Sequence, residues 1–446
     1  ITTTLYARRA EAANLTLAER NRELLASERE SRIRGLIQEL EYFNTLDDDV
    51  YTYAKKQTRP AHEWWIEGAE LLVEGWSDDS DPDADWYPGL ADVRGELAKL
   101  RSRARQEGKA ELDPKPSAPE SFQFDASEDE WWHEQLVQLE AGLLDLQKRL
   151  EFARTSVHSP ENARLWSEAI AAILSSPRYS GLRLTPQLGL VPIGPDPTTG
   201  LWEFAHLASG EPAQRGSDGN LVLLPETGLV LVLLPGGRVP VADSSDQEQD
   251  AYLTQIDLDP FFLSKYEMSA GQWERIGGLR RGDAQADGAL LPSVNVSWDD
   301  CRLALSRVGW LRLSSEAQWE YGCRAGTTPP WWTVAEPEAL RAAANLDNAH
   351  VLRDGLPHGI GLFRANPFGL HDVLGNVLEW CGDSVDEGVP RRGDGLRDES
   401  GAEVSVLRGA SSYEVETARV SLTGTAMFRS APSSIFGLRP ARAISP

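Results

Sequence analysis

The chain has 446 residues, with 69 acidic side chains against 44 basic ones and a formal net charge of −25. That length can fill roughly two or three domains, and so acidic a surface excludes nucleic acid and anionic membranes as partners while suiting bound cations. No apolar run is long enough to span a membrane and no signal-peptide pattern is visible.

The chain opens on Ile1 rather than Met and is expected to be a fragment or a processed form. Its three cysteines, Cys301, Cys323 and Cys381, are too few and too scattered for a disulfide framework or a structural zinc site. A reducing, cytoplasmic setting is expected.

Residues 1–175 read as a helical region. "SRIRGLIQELEYF" sets Ile33, Leu36, Ile37, Leu40 and Phe43 on one helical face. "SDDSDPDADW" at 77–86 starts like a calcium loop but lacks the glycine and the closing glutamate of an EF-hand, which leaves a solvated acidic loop. Ser127 and Glu130 form a capping-box pattern. It precedes a heptad of Trp132, Leu136, Leu139, Leu143, Leu146 and Leu150, which is open to packing within the chain or to self-association as a coiled coil.

Near residue 176 the texture changes to short apolar runs broken by Pro and Gly, such as "GLVLVLLPGG". We read 176–235 as a β-rich connector packed on the next domain, and 236–446 as a turn-rich domain with two short helices, "SAGQWERIG" and "SSEAQWEYGCRAG". Such a domain needs buried aromatics, side-chain hydrogen bonds and ions to hold it.

Six blocks stand in a fixed order: "DPFFLSKYEMSAGQWERI", "LPSVNVSWDDCRLAL", "RLSSEAQWEYGCRAG", "NPFGLHDVLGNVLEWCGD", "VLRGASS" and "FGLRPAR". Over roughly 230–446 the chain resembles the formylglycine-generating-enzyme, or sulfatase-modifying-factor, family. The resemblance implies an irregular α+β domain related to the C-type lectin fold, often calcium-stabilised, here behind a helical bundle or coiled coil. The 180–235 block looks like a lead-in of bacterial multidomain signalling proteins, which would attach the chain to a membrane-anchored parent.

Family members that oxidise cysteine to formylglycine carry two copper-binding cysteines between the RGG-type block and the terminal arginine block. The segment 411–437 here has no cysteine. The three histidines of iron-dependent sulfoxide synthases have no counterpart either, since His62, His133 and His158 stand isolated. The resemblance therefore implies neither copper nor iron, and the three cysteines are expected as packing residues.

Asn376 and Glu379, three apart after Gly375, offer the hard oxygens calcium needs. The family likeness implies a structural Ca2+ site there and a second at Asn345, Leu346 and Asp347. Asn376 and Glu379 tying loops together by hydrogen bonds is the alternative. The likeness also implies an open groove lined by Tyr413, Glu414, Glu416, Arg419, Met427, Phe428, Arg429 and Phe436, an aromatic, Met and Arg mixture suited to binding a protein or small ligand.

The expected function is a non-catalytic binding domain of a bacterial signalling or defence protein. Two other readings stand beside it: a ligand-display protein diversified by a retroelement, and a metal-dependent oxidoreductase.

Overall fold

The computed structural model describes residues 27–44, 61–76, 87–106, 110–111, 121–242, 253–279, 288–308, 310–327, 332–333, 343–345, 357–385, 390–397, 402–409 and 425–445. The architecture is α+β. Two compact units emerge, one of Ile1–Leu46 with Glu63–Leu150 and one of Asp47–His62 with Glu151–Pro446. The division lies at Leu150/Glu151, so residues 151–175, read from the sequence as part of the helical region, go with the second unit.

The first unit contains α1 (27–44), α2 (Ala61–Glu74), α3 (Leu90–Gln106) and the first part of α4 (Ser127–His158). Ile33, Leu36, Leu40 and Phe43 are buried along the face their spacing marked out. The heptad leucines of α4, from Leu136 to Leu150, are buried too. A Cβ on Gly142 would lie 2.9 Å from a Leu40 methyl, and Arg149 donates to Asn44 Oδ1 at 2.6 Å. Residues flanking the stripe thus meet α1, inside the unit. Ser127 is the first helical residue rather than the cap, since Asp129 and Glu130 N–H groups reach back to Ala126 O. The acidic stretch 77–86 lies outside the described residues.

In the second unit the end of α4 and α5 (Pro160–Ser175) lead into a sheet. Ser159 caps α5 with Pro160 beside it, the pairing a helix start favours. Trp166, Ala169 and Ile173 form its buried face, and Trp166 stacks on Phe204 at 5.3 Å. Ser156 Oγ accepts from Gly189 N–H at 2.8 Å, which pins the end of α4 to the first strand.

That sheet has six antiparallel strands in the order β5-β10-β4-β3-β2-β1. They are β1 (Leu190–Pro195), β2 (Trp202–His206), β3 (Val230–Leu234), β4 (Phe261–Ser264), β5 (Arg312–Leu313) and β10 (Pro440–Ala443). The stretch 176–235 therefore supplies half of the strands of this sheet. All of β3 is buried, as its unbroken apolar run requires of a central strand.

A second sheet runs β8-β7-β6-β9, with β6 (Leu378–Ser384), β7 (Val404–Arg408), β8 (Thr425–Phe428) and β9 (Phe436–Leu438). Only its β6–β9 pair is parallel. Three short helices, α6 (Ala270–Arg275), α7 (Trp298–Arg307) and α8 (Glu316–Arg324), each begin with a complete capping box, at Ser269, Ser297 and Ser315. Helices this short depend on such caps, because nucleation leaves most of their first N–H groups without partners.

Candidate functional site

The stretch 369–383 feeds β6, and its polar groups are tied into a closed network. Arg439, just before β10, is 1% exposed and uses all three of its nitrogens. It grips both Glu379 oxygens, the closest at 2.7 Å, and donates to the carbonyls of Ser264, His371 and Asp372. Trp319 Nε1 of α8 donates to Glu379 Oε2 at 2.6 Å. Asn376, held at φ 65°, donates to Glu267 at 2.6 Å, and its Oδ1 accepts from Asn345 Nδ2 at 3.0 Å and His358 N–H at 2.8 Å.

These residues do not fit the calcium expected of them. Both lone pairs of the Asn376 amide oxygen are in use. Every acceptor direction of Glu379 meets an N–H, and a guanidinium in contact with both its oxygens repels a second cation. Asn345 acts as a donor to Asn376, while Leu346 and Asp347 lie outside the described residues. Among the described residues no group of three His, Cys, Asp or Glu side chains converges as a metal site. Burial and the neighbouring Asp372 carboxylate push Glu267 well above the usual carboxylate range.

A second buried network joins Arg408 to Glu316 at 3.3 Å and to Glu320 at 3.1 Å, with Arg397 also on Glu316. Arg408 lies over the Trp319 ring at 5.1 Å. The arginine of "VLRGA" is thereby a packing element.

The expected C-terminal groove is only partly described. Tyr413, Glu414, Glu416 and Arg419 lie outside the described residues. Phe436 is a core residue, 6% exposed and edge-on to Trp380 at 5.5 Å. Its burial, on β9 at one end of the second sheet, takes it out of any groove. Arg429 stacks on Trp298 at 3.9 Å and donates to Ser405 Oγ, and Met427 packs partly against the core. Phe428 is exposed at 60%.

An open cavity of about 890 Å³ lies elsewhere in this unit. One side comes from the turn after β1, with Asp196, Thr198 and Thr199, and from the stretch after β2, with Arg215, Asn220, Leu221 and Leu223. The other comes from Lys265 and Tyr266 after β4, from Trp332 and Thr333, and from the stretch 361–371. Gly361 is needed where it stands, because its φ is +78° and a Cβ would come within 2.8 Å of the Tyr266 ring.

Most charges at the cavity are locked in pairs. Lys265 bonds Asp196 at 2.9 Å and Glu203 at 2.5 Å, and Glu203 also holds Arg215 at 2.6 Å. Burial raises the Asp196 pKa, but Lys265 and the amides of Thr198 and Thr199 outweigh it and bring the carboxyl to about 2. His371 gives its Nδ1–H to Phe363 O at 2.7 Å, and burial pushes the imidazole down to about 4, so it is neutral. Arg364 is exposed and lies 5.9 Å from the Trp332 ring. It has no hydrogen bond or ion pair among the described residues. No single segment carries this site, and the sequence offered no signal for it.

Residues 225–444 match the family described as "Sulfatase-modifying factor enzyme 1-like domain". The C-terminal part of the chain is such a domain. Relatives of this sulfatase-modifying-factor-like domain include the "Formylglycine-generating enzyme" of Mycobacterium tuberculosis. That protein is 37% identical over 103 residues, covering 21% of this chain and 34% of the relative. The "Inactive C-alpha-formylglycine-generating enzyme 2" of Mus musculus is 30% identical over 129 residues, covering 27% of this chain and 37% of the relative. Each alignment thus spans only about a third of these relatives' length. Among solved structures, PvdO from Pseudomonas aeruginosa aligns with a TM-score of 0.42 and 23% identity, covering 52% of this chain and 98% of that one.

The cavity takes one wall from 196–223, ahead of the matched residues 225–444.

Proposed function

We propose that the sulfatase-modifying-factor-like domain of this chain is a non-catalytic binding domain, with the cavity between 196–223 and 361–371 as its binding face. The observation that carries this is the placement of sulfur. The segment 411–437 holds no cysteine, and Cys301, Cys323 and Cys381 are all buried. Burial drives each thiol above its usual range, so none offers the exposed thiolate that copper ligation and oxygen chemistry need. None of the three lines the cavity. The mouse relative, named as an inactive formylglycine-generating enzyme, supports the same reading.

The test is to incubate the chain with copper(I), oxygen and a cysteine-containing peptide, and to follow the peptide by mass spectrometry. The cysteine is expected to stay unconverted and copper to wash off the protein. Conversion to formylglycine with one tightly held copper per chain would overturn the proposal.

A further inference from the structure

The charges at the cavity do not balance. Lys265 and Arg215 are neutralised by Asp196 and Glu203, and His371 is neutral. Among the described residues lining the cavity, Arg364 is left as one net positive charge on the rim, in a chain with a formal net charge of −25. Part of the wall is apolar: Trp332, Leu221, Leu223 and the Tyr266 ring line the cavity beside the polar Thr198, Asn220 and Thr333, and Leu362 next to Arg364 is 70% exposed. With its guanidinium 5.9 Å from the Trp332 ring and no hydrogen bond or ion pair among the described residues, Arg364 has donors available to a carboxylate, which a guanidinium can grip through two parallel bonds. One unopposed charge matches a monoanion rather than a phosphate dianion. A volume of about 890 Å³ suits a small organic ligand or a few peptide residues.

We infer that this cavity binds a carboxylate carried on a small apolar group, with Arg364 holding the anion and Tyr266, Trp332 and Leu223 enclosing the apolar part. The inference rests on the binding role proposed above. The carboxylate comes either from a small organic acid or from the C-terminal residue of a peptide, and the test separates the two.

Calorimetric titrations of the full chain at low salt would compare N-acetyl-L-leucine with N-acetyl-L-leucinamide, a short leucine-ending peptide with its C-terminal amide, and inorganic phosphate. The free acid is expected to bind about tenfold more tightly than the amide, the range of a charge-assisted hydrogen bond at an exposed site. Arg364→Met should erase that preference and Arg364→Lys should keep part of it, both with unchanged thermal unfolding because the side chain is exposed. A peptide acid that outbinds N-acetyl-L-leucine assigns the site to a peptide terminus, and equal affinity assigns it to a small acid.

Equal binding of acid and amide, or phosphate outbinding both, overturns the carboxylate inference and leaves the binding role standing. No binding by any probe at about 10 mM, above the millimolar affinity such small ligands reach, overturns both.

Discussion

Arg439 and Arg364 lie in the same unit, yet Arg439 is 1% exposed with all three nitrogens bonded, whereas Arg364 is exposed with no hydrogen bond or ion pair among the described residues. A buried guanidinium is tolerated only when its desolvation is met by a full set of acceptors, and that completeness leaves nothing over for a ligand. An exposed guanidinium resting on an aromatic ring keeps its donors free. Chemistry dense in sequence and chemistry open in space are therefore found in different places here. The residues that look most like a site, Asn376 and Glu379, are the most saturated.

The largest effect should come from breaking the saturated centre. Arg439→Met strands Glu379 beside Glu267 and Asp372 without their shared cation, a loss of about 3–5 kcal/mol in urea unfolding. A smaller effect is expected at the locked floor of the cavity. Lys265→Met removes the ammonium between Asp196 and Glu203, but Arg215 still holds Glu203. The expected cost is about 3 kcal/mol, with most of the loss recovered at acid pH as the exposed-side Asp196 protonates.

His206 sharpens the contrast through pH. Its Nδ1–H donates to Ser209 Oγ at 3.1 Å, because the Ser209 hydroxyl proton goes to the His206 carbonyl. Its Nε2 is buried without a partner, and burial together with Arg442 pushes the imidazole down to about 3. As pH falls from the unfolded value near 6.5 to about 3, the unfolded chain takes up a proton that the native imidazole refuses. Stability falls across that window and levels off below it. His206→Gln should flatten the acid side of the wild-type profile by an amount on the order of a few kcal/mol, measured as unfolding free energy at successive pH values.

Much of the scaffold was legible from spacing alone. Ile33, Leu36, Leu40 and Phe43 mark a helical face, "GLVLVLLPGG" a buried strand, and "SAGQWERIG" and "SSEAQWEYGCRAG" two short helices. These are local rules, readable within a few residues. The polar centres are not local. Glu379 meets Arg439 across 60 residues, and Asn376 meets Glu267 across 109. Spacing showed that Asn376 and Glu379 could converge, but not that an arginine and a tryptophan would reach Glu379 in place of an ion. The family likeness placed Phe436 in the groove, whereas its strand position against Trp380 buries it. The cavity was invisible for the same reason, since its walls come from stretches far apart in the chain.

The most direct test of this division of labour sets Arg439→Met and Arg364→Met side by side in urea unfolding. The account predicts a loss of about 3–5 kcal/mol for Arg439→Met and a change within about 0.5 kcal/mol for Arg364→Met. Equal destabilisation by the two would contradict it, because Arg364 would then be part of the framework and not a free contact on the cavity rim.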